Sequence, residues 1–385
     1  MIPYGRQQIT QADIDAVVSV LQSDFLTQGP MVPRFEQAIA VRCGAKHAVA
    51  VNSATSALHL ACRALDLGVG DALWTTPNTF VASANCGRYC GAEVDFVDID
   101  PQTWNLSVPA LREKLIQAKR DGRLPKVVVP VHFGGQPTDQ EAIWSLAQEF
   151  GFKVLEDASH AIGASRAGEA VGSCRWSDIT VFSFHPVKII TTAEGGMALT
   201  NDEELAWQMA TLRTHGITRD VEHMQFEPEG PWYYEQLDLG YNYRMTDIQA
   251  ALGLSQLDRL EAFVARRNTL AKHYDQLLAG LPLQLPQIHP ENRSAFHLYV
   301  VRLKIDAIQK THRAVFDALR SQGVGVNLHY MPVHLQPYYR NLGFKPGLYP
   351  EAERYAQEAI SLPLYPDLTE QQQEHIAHAI RKSLT

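Results

Sequence analysis

Hydrophobic positions along this chain change period many times. Near the start, Ile14, Val17, Val18 and Leu21 recur at helical spacing behind a Thr10/Asp13 pair that reads as a capping box. Short β-branched runs then alternate with helical patterns. Strands are expected at 48–51, 72–76, 94–99, 127–132, 153–156, 179–184 and 197–200, with helices at 56–65, 109–118, 139–149 and 203–214 filling gaps between them. Several of these strands are apolar on both faces, as a sheet covered by helices on both sides requires. The alternation predicts an α/β fold with a mostly parallel sheet.

Beyond Gly216 the texture shifts. Residues 216–240 mix Gly, Pro, His and aromatics with weak periodicity, the pattern of an ordered functional loop or flap. A long helical pattern over 246–278 follows, then strand-like 298–303 and 324–329 and helices near 312–321 and 370–382. The expected division is a large domain over 1–250, with an N-terminal segment 1–25, and a linking helix plus small α+β domain over 251–385.

Composition narrows the function classes. With 34 basic against 42 acidic residues the formal charge is -8, which disfavours nucleic acid and anionic membrane as partners. A local site can still oppose that global sign and take an anionic small molecule. No apolar run approaches the ~18 residues of a membrane span, and MIPYGRQQITQADID shows no secretory pattern, so a cytoplasmic setting is expected. Cys43, Cys62, Cys86, Cys90 and Cys174 are scattered, without a CxxC pair. They read as buried small hydrophobes in a reducing compartment, Cys86 and Cys90 merely sharing a helix face, and no metal site is expected.

In a parallel sheet, ligands sit beyond the carboxyl ends of the strands, and four candidates lie there. In VNSATSALHLA (51–61) a strand gives way to small and hydroxylated residues opening a helix, a place where free N–H groups meet an anion or where Ser simply caps. Neither GxGxxG nor a Walker sequence is present. Asp157 ends the strand FKVLEDASH, where it can cap a turn or hold a proton on a heteroaromatic nitrogen, with His160 three residues on. In ITVFSFHPVKIITTAEGG (179–196), Ser183 and His185 lead to Lys188 among Val187, Ile189 and Ile190. Desolvation there favours the neutral, nucleophilic amine. The fourth, GYNYRMTD (240–247), carries Asn242 and Arg244 ahead of a helix that Thr246 caps, and capping explains most of its spacing without function.

Taken in order, TQGPMVPRFE, PNTFVASAN, PVHFGGQPTD, EDASHA, SFHPVKIITTAEGG, GYNYRMTD, LHYMPVHLQPYY and ISLPLYPDLT resemble the DegT/DnrJ/EryC1/StrS sugar aminotransferases, nearly end to end. The resemblance implies the pyridoxal-phosphate fold type I: a large domain with a mostly parallel seven-stranded sheet between helices, and a smaller C-terminal α+β domain. It implies pyridoxal 5'-phosphate as cofactor, with pyridoxamine phosphate as its aminated form. Lys188 would bond to the cofactor and shuttle the proton, Asp157 would pair with the ring nitrogen, His160 would contact the phenolic oxygen, and Phe80 would stack on the ring. The backbone of Ala54 and Thr55, with Ser183, would bind the phosphate. Asn242 would reach the cofactor of a neighbouring subunit, making the working unit a homodimer with shared sites. L-glutamate would donate the amine to a keto-sugar. Lys188-Ile-Ile-Thr-Thr-Ala-Glu194-Gly-Gly is similar to the branch that aminates C4, and to members acting on UDP-linked sugars in pseudaminic acid synthesis. By the same resemblance Tyr4, Asp24, Phe25, Leu26, Thr27, His185, Asn327, His329 and Tyr330 would line the sugar-nucleotide site. The family often has Gly where Ala54 stands; one added methyl leaves helix N–H donation intact.

Overall fold

The structure, a computed structural model, describes residues 1–384. All seven strands expected in the first half form, as β1 (His47–Val51), β2 (Ala72–Thr75), β3 (Glu93–Phe96), β4 (Val127–Val129), β5 (Lys153–Asp157), β6 (Ile179–Ser183) and β7 (Gly196–Thr200). They make one sheet in the order β1-β7-β6-β5-β4-β2-β3. The pairs from β6 through β3 are parallel, whereas β7 runs antiparallel to both β1 and β6. Both faces are covered. Val181 joins a cluster with Leu58 and Leu60 of the helix Ala54–Ala64, while the next residue, Phe182, packs with Phe35 and Val264 on the opposite face. That two-sided burial is why the strands read as continuous apolar runs.

The antiparallel hand of β7 matters for the site. Its first residue, Gly196, is opposite Val51 and Ser183, so the start of β7 shares an edge with the ends of β1 and β6. A second, antiparallel sheet of β8 (Leu283–Gln284), β9 (Tyr299–Leu303) and β10 (Ala359–Leu362) carries its own apolar cluster with helices Leu260–Leu278, His312–Ser321 and Glu370–Leu384.

Four expectations change. The helix Gln11–Leu21 forms behind a Thr10/Asp13 capping box, but it buries Asp13 and Val20, leaving Ile14, Val18 and Leu21 exposed at 47%, 41% and 54%. Asp13 goes inward because Arg259, Ser255 and Gln256 all bond its carboxylate. The long pattern of 246–278 is two helices, Asp247–Leu257 and Leu260–Leu278, interrupted where Arg259 turns toward Asp13. Residues 324–329 make single bridges, Val324 to Ile2 and Asn327 to Ser361, instead of a regular strand; the partner strand there is β10. Finally, Cys90 is only half-buried, unlike the other four cysteines.

Candidate active site

Three strand ends and one helix start converge on a cleft of 530 Å³. At its floor β1 passes through Asn52 and Ser53 into the helix Ala54–Ala64. Ser53 caps that helix, accepting from Ser56 N–H at 3.1 Å. The N–H groups of Ala54 and Thr55 precede the first intrahelical bond, and both residues line the cleft. Capping and anion binding are therefore one arrangement. Gly196 makes it possible, because a Cβ there would lie 2.4 Å from Ala54 N.

Asp157, at the end of β5, is buried and accepts from Ser83 Oγ at 2.6 Å and from Ser159 N–H at 3.1 Å. Ser83 is in turn held by Thr79 at 2.7 Å. The pleat sends the preceding Glu156 to the other face, where Gln140 and Thr180 bond its buried carboxylate at 2.6 and 2.7 Å. His132 and these hydrogen bonds hold that carboxyl below the usual range against the opposing effect of burial.

Lys188 follows a turn in which its N–H bonds His185 C=O at 2.9 Å, with buried Ile189 and Ile190 behind it. Burial lowers its pKa to about 8, although the Asp157 carboxylate works the other way. His160 Nδ1 accepts from Gly134 N–H at 3.3 Å, which leaves the ring proton on Nε2, 3.1 Å from Tyr330 Oη. Burial, then the charges of Lys188 and His329, keep His160 neutral, well below the usual histidine range. Burial and Lys188 likewise bring His329 down to about 4. His160 and His329 thus face the cleft as neutral imidazoles beside one depressed amine and the buried Asp157 carboxylate.

Tyr4, Ala54, Thr55, Phe80, Asp157, His160, Ser183, His185, Lys188, Asn327, His329 and Tyr330 all line this cleft. Phe80 is exposed, its ring 6.3 Å from that of Tyr330. Asp24, Phe25, Leu26, Thr27 and Asn242 do not line it. All five are exposed; Thr27 bridges Thr246 and Asp247 N–H bonds Leu26 C=O at 3.0 Å, while Asn242 bridges Thr214. Within one chain Asp24, Phe25, Leu26 and Thr27 stay off the cleft wall, and the segment after them is anchored where Gly29 and Met31 N–H each donate to the buried Asp247 carboxylate at 2.8 Å.

Ser83, Thr79 and His297 also belong to the site and were not picked out from the sequence. Ser83 sits in PNTFVASAN, one turn past the predicted Phe80, and that spacing was an available signal. His297 had none. It packs 4.4 Å from the His160 ring only because Ala295 and Leu298 bond back to the Gly134-Gly135 turn.

A helix start with free N–H groups, a buried carboxylate and a desolvated amine at neighbouring strand ends fit a pyridoxal-phosphate-dependent aminotransferase. The family comparison agrees: residues 7–381 match the model of the DegT/DnrJ/EryC1/StrS aminotransferase family, and the chain belongs to it. It is 39% identical over 383 residues to the spore coat polysaccharide biosynthesis protein SpsC of Bacillus subtilis, covering 99% of this chain and 96% of that one. Among solved structures, Helicobacter pylori PseC, an aminotransferase involved in the biosynthesis of pseudaminic acid, matches with TM-score 0.90 and 32% identity over 100% of this chain and 99% of that one. The putative sugar aminotransferase Spr1654 from Streptococcus pneumoniae in its PMP form matches with TM-score 0.89 and 29% identity, over 100% and 99%. Pyridoxal phosphate is the cofactor of this family, and Spr1654 is known in both PLP and PMP forms. Among the described residues no helix is long and apolar enough to cross a membrane, and no group of His, Cys, Asp and Glu is arranged to hold a metal ion.

Proposed function

We propose that this aminotransferase moves the amino group of L-glutamate to C4 of a UDP-linked 4-keto-6-deoxy-N-acetyl sugar. The product would be UDP-4-amino-4,6-dideoxy-N-acetyl-β-L-altrosamine, a precursor in pseudaminic acid synthesis and flagellin glycosylation. The reading rests above all on Lys188, an amine desolvated to a pKa of about 8 within the cleft that Asp157 and the Ala54 helix start share.

When bound, pyridoxal phosphate supplies an electron-withdrawing ring that spreads negative charge from a substrate carbon. The chain's residues do the rest. Ala54 and Thr55 N–H with Ser183 hold the phosphate, and Asp157, fixed by Ser83 and Ser159, keeps the ring nitrogen protonated. His160 donates from Nε2 toward the phenolic oxygen, Phe80 covers the ring face, and Lys188, neutral in a large fraction of molecules near pH 8, carries the proton at the reacting carbon. Tyr4, His185, Asn327, His329 and Tyr330 form the wall left for the sugar nucleotide. Asn242 and the Asp24, Phe25, Leu26 and Thr27 stretch, both exposed, serve the cleft of a second copy, which accounts for their position outside their own.

The sequence motifs KIITTAEGG and HYMPVHLQPYY and the likeness to PseC support the UDP-sugar assignment. The 39% identity to SpsC, a spore coat polysaccharide biosynthesis protein, favours a second reading in which the amine goes to another sugar; the 4-aminotransferases of the GDP-perosamine or UDP-4-amino-arabinose kind are the alternatives. A sugar 3-dehydratase, in which histidine takes the lysine position, and a non-catalytic relative are both disfavoured by Lys188 and Asp157. Incubation with glutamate and a panel of UDP-, GDP- and dTDP-linked 4-keto-6-deoxy sugars decides. Amine at C4 of the UDP-linked N-acetyl sugar is expected; turnover with a GDP- or dTDP-linked acceptor alone overturns the sugar assignment and leaves the aminotransferase standing.

A further inference from the structure

The single ring hydrogen of His160 has a defined place. Gly134 N–H donates to Nδ1 at 3.3 Å and the buried ring is neutral, so its hydrogen is on Nε2. Tyr330 Oη lies 3.1 Å from that nitrogen and accepts from it. The hydrogen of the phenol itself is then unclaimed. Among the described residues Tyr330 Oη has no other hydrogen-bond partner, and Tyr330 lines the cleft. Cofactor binding leaves this unchanged. Whether His160 gives its hydrogen to Tyr330 or to the phenolic oxygen, Nε2 is no acceptor for the tyrosine.

Tyr330 is held firmly at this place. Its N–H donates to the buried Asn78 side chain at 3.2 Å, and the buried Tyr355 hydroxyl bonds the preceding His329 C=O at 2.8 Å. Its ring lies 6.3 Å from that of Phe80 and edge-on to Phe133 at 6.4 Å. His160 and Phe80 are the residues assigned to the oxygen and the ring face of the cofactor, so the Tyr330 hydroxyl stands where a reacting substrate carbon has to come. Tyr4, the other phenol of the cleft, packs on His329 instead, with ring centroids 5.4 Å apart.

We propose that Tyr330 is a catalytic residue whose hydroxyl, oriented by His160, donates a hydrogen bond to the carbonyl oxygen at the carbon that receives the amine. The inference rests on the aminotransferase reading of the cleft and is independent of which sugar is used. Addition of an amine to a carbonyl carbon places negative charge on the oxygen, and a donor already in position lowers that barrier. Gly134 N–H, His160 and Tyr330 form a chain in which each accepted bond strengthens the next one given. Burial, and after it the Asp157 carboxylate, push the Tyr330 pKa up, so the hydroxyl keeps its hydrogen at every working pH. Tyr330 therefore shares its hydrogen with the oxygen and does not transfer it. Lys188 moves the proton at carbon, and Tyr330 steadies the charge at oxygen.

The test uses the protein loaded with pyridoxamine phosphate, mixed with 2-oxoglutarate and with each 4-keto sugar of the nucleotide panel. Because 2-oxoglutarate is among the acceptors, a failed sugar assignment does not remove the probe. Tyr330→Phe keeps the ring and deletes the hydroxyl. It should lower the amination rate constant at saturating acceptor at least about tenfold. The half-saturating acceptor concentration should change by less than about threefold, as expected for a contact made chiefly in the transition state. Cofactor affinity and the pH titration of the visible band should match wild type, which separates a donor to the substrate from a donor to the cofactor. Nitrogen NMR of isotope-labelled histidine, with His160 assigned by its loss in His160→Gln, should show the Nε2–H tautomer in the loaded protein. A smaller loss of rate, or a higher half-saturating concentration with the rate constant intact, overturns the proposal. So does a shifted band titration, or the Nδ1–H tautomer, which would let Tyr330 donate to the imidazole.

Discussion

Lys188 carries the chemistry through its position more than its type. Its amine faces burial by Ile189 and Ile190 on one side and Asp157 on the other, and burial wins, bringing the pKa to about 8. The sign of the stability effect follows. Unfolded lysine titrates near ~10.4, so between 8 and that value the unfolded chain binds more protons, and the cofactor-free protein gains stability as pH rises through this window. Below it the charged amine is a constant burden on the fold. Lys188→Met, nearly isosteric but uncharged, should abolish turnover while raising the thermal midpoint of the cofactor-free protein at pH 7. It should also flatten the rise in midpoint between pH 8 and 10. Retained turnover in a folded variant would remove Lys188 from its assigned role, and a lower midpoint would contradict the desolvation argument. Asp157 shows the converse case. Its capping of Ser159 and its availability to a ring nitrogen coexist, because each oxygen has one neutral donor and neither is spent on a cation.

Among the elements, the contact between β7 and the helix Ala54–Ala64 is the one that builds the anion cradle. Gly196 lies against the Ser53–Ala54 peptide with no room for a methyl group. Gly196→Ala should push the helix start away from the strand edge and weaken pyridoxal phosphate binding by about tenfold or more, read by absorbance titration of the cofactor-free protein. The comparison is Gly44→Ala: that residue has φ 79° with open space around it, so the change should cost about 1 kcal/mol of stability and leave cofactor affinity unchanged. Equal affinity in Gly196→Ala would show that the close approach is not needed.

On the scale of the whole molecule, the helix Gln11–Leu21 presents Ile14, Val18 and Leu21 to solvent, and Phe25 and Leu26, a few residues further along the chain, are exposed as well. A surface of this kind is costly in a lone chain. The protein should sediment as a dimer, and Leu21→Asp combined with Phe25→Asp should shift it to monomer with loss of turnover but an unchanged circular dichroism spectrum. A wild-type monomer with full activity would refute the shared-site arrangement. Period and burial made the sheet legible beforehand: seven apolar runs of strand length, separated by helical patterns, admit few arrangements other than a covered parallel sheet. Lys188, Asp157 and the Ala54 turn were legible too, since a ligand edge needs reactive or small residues where strands stop. Strand order, the reversed run of β7, the inward turn of Asp13 and the placing of His297 beside His160 were not. Each depends on which distant segments pack together, and a local pattern of apolar and polar residues carries no term for that.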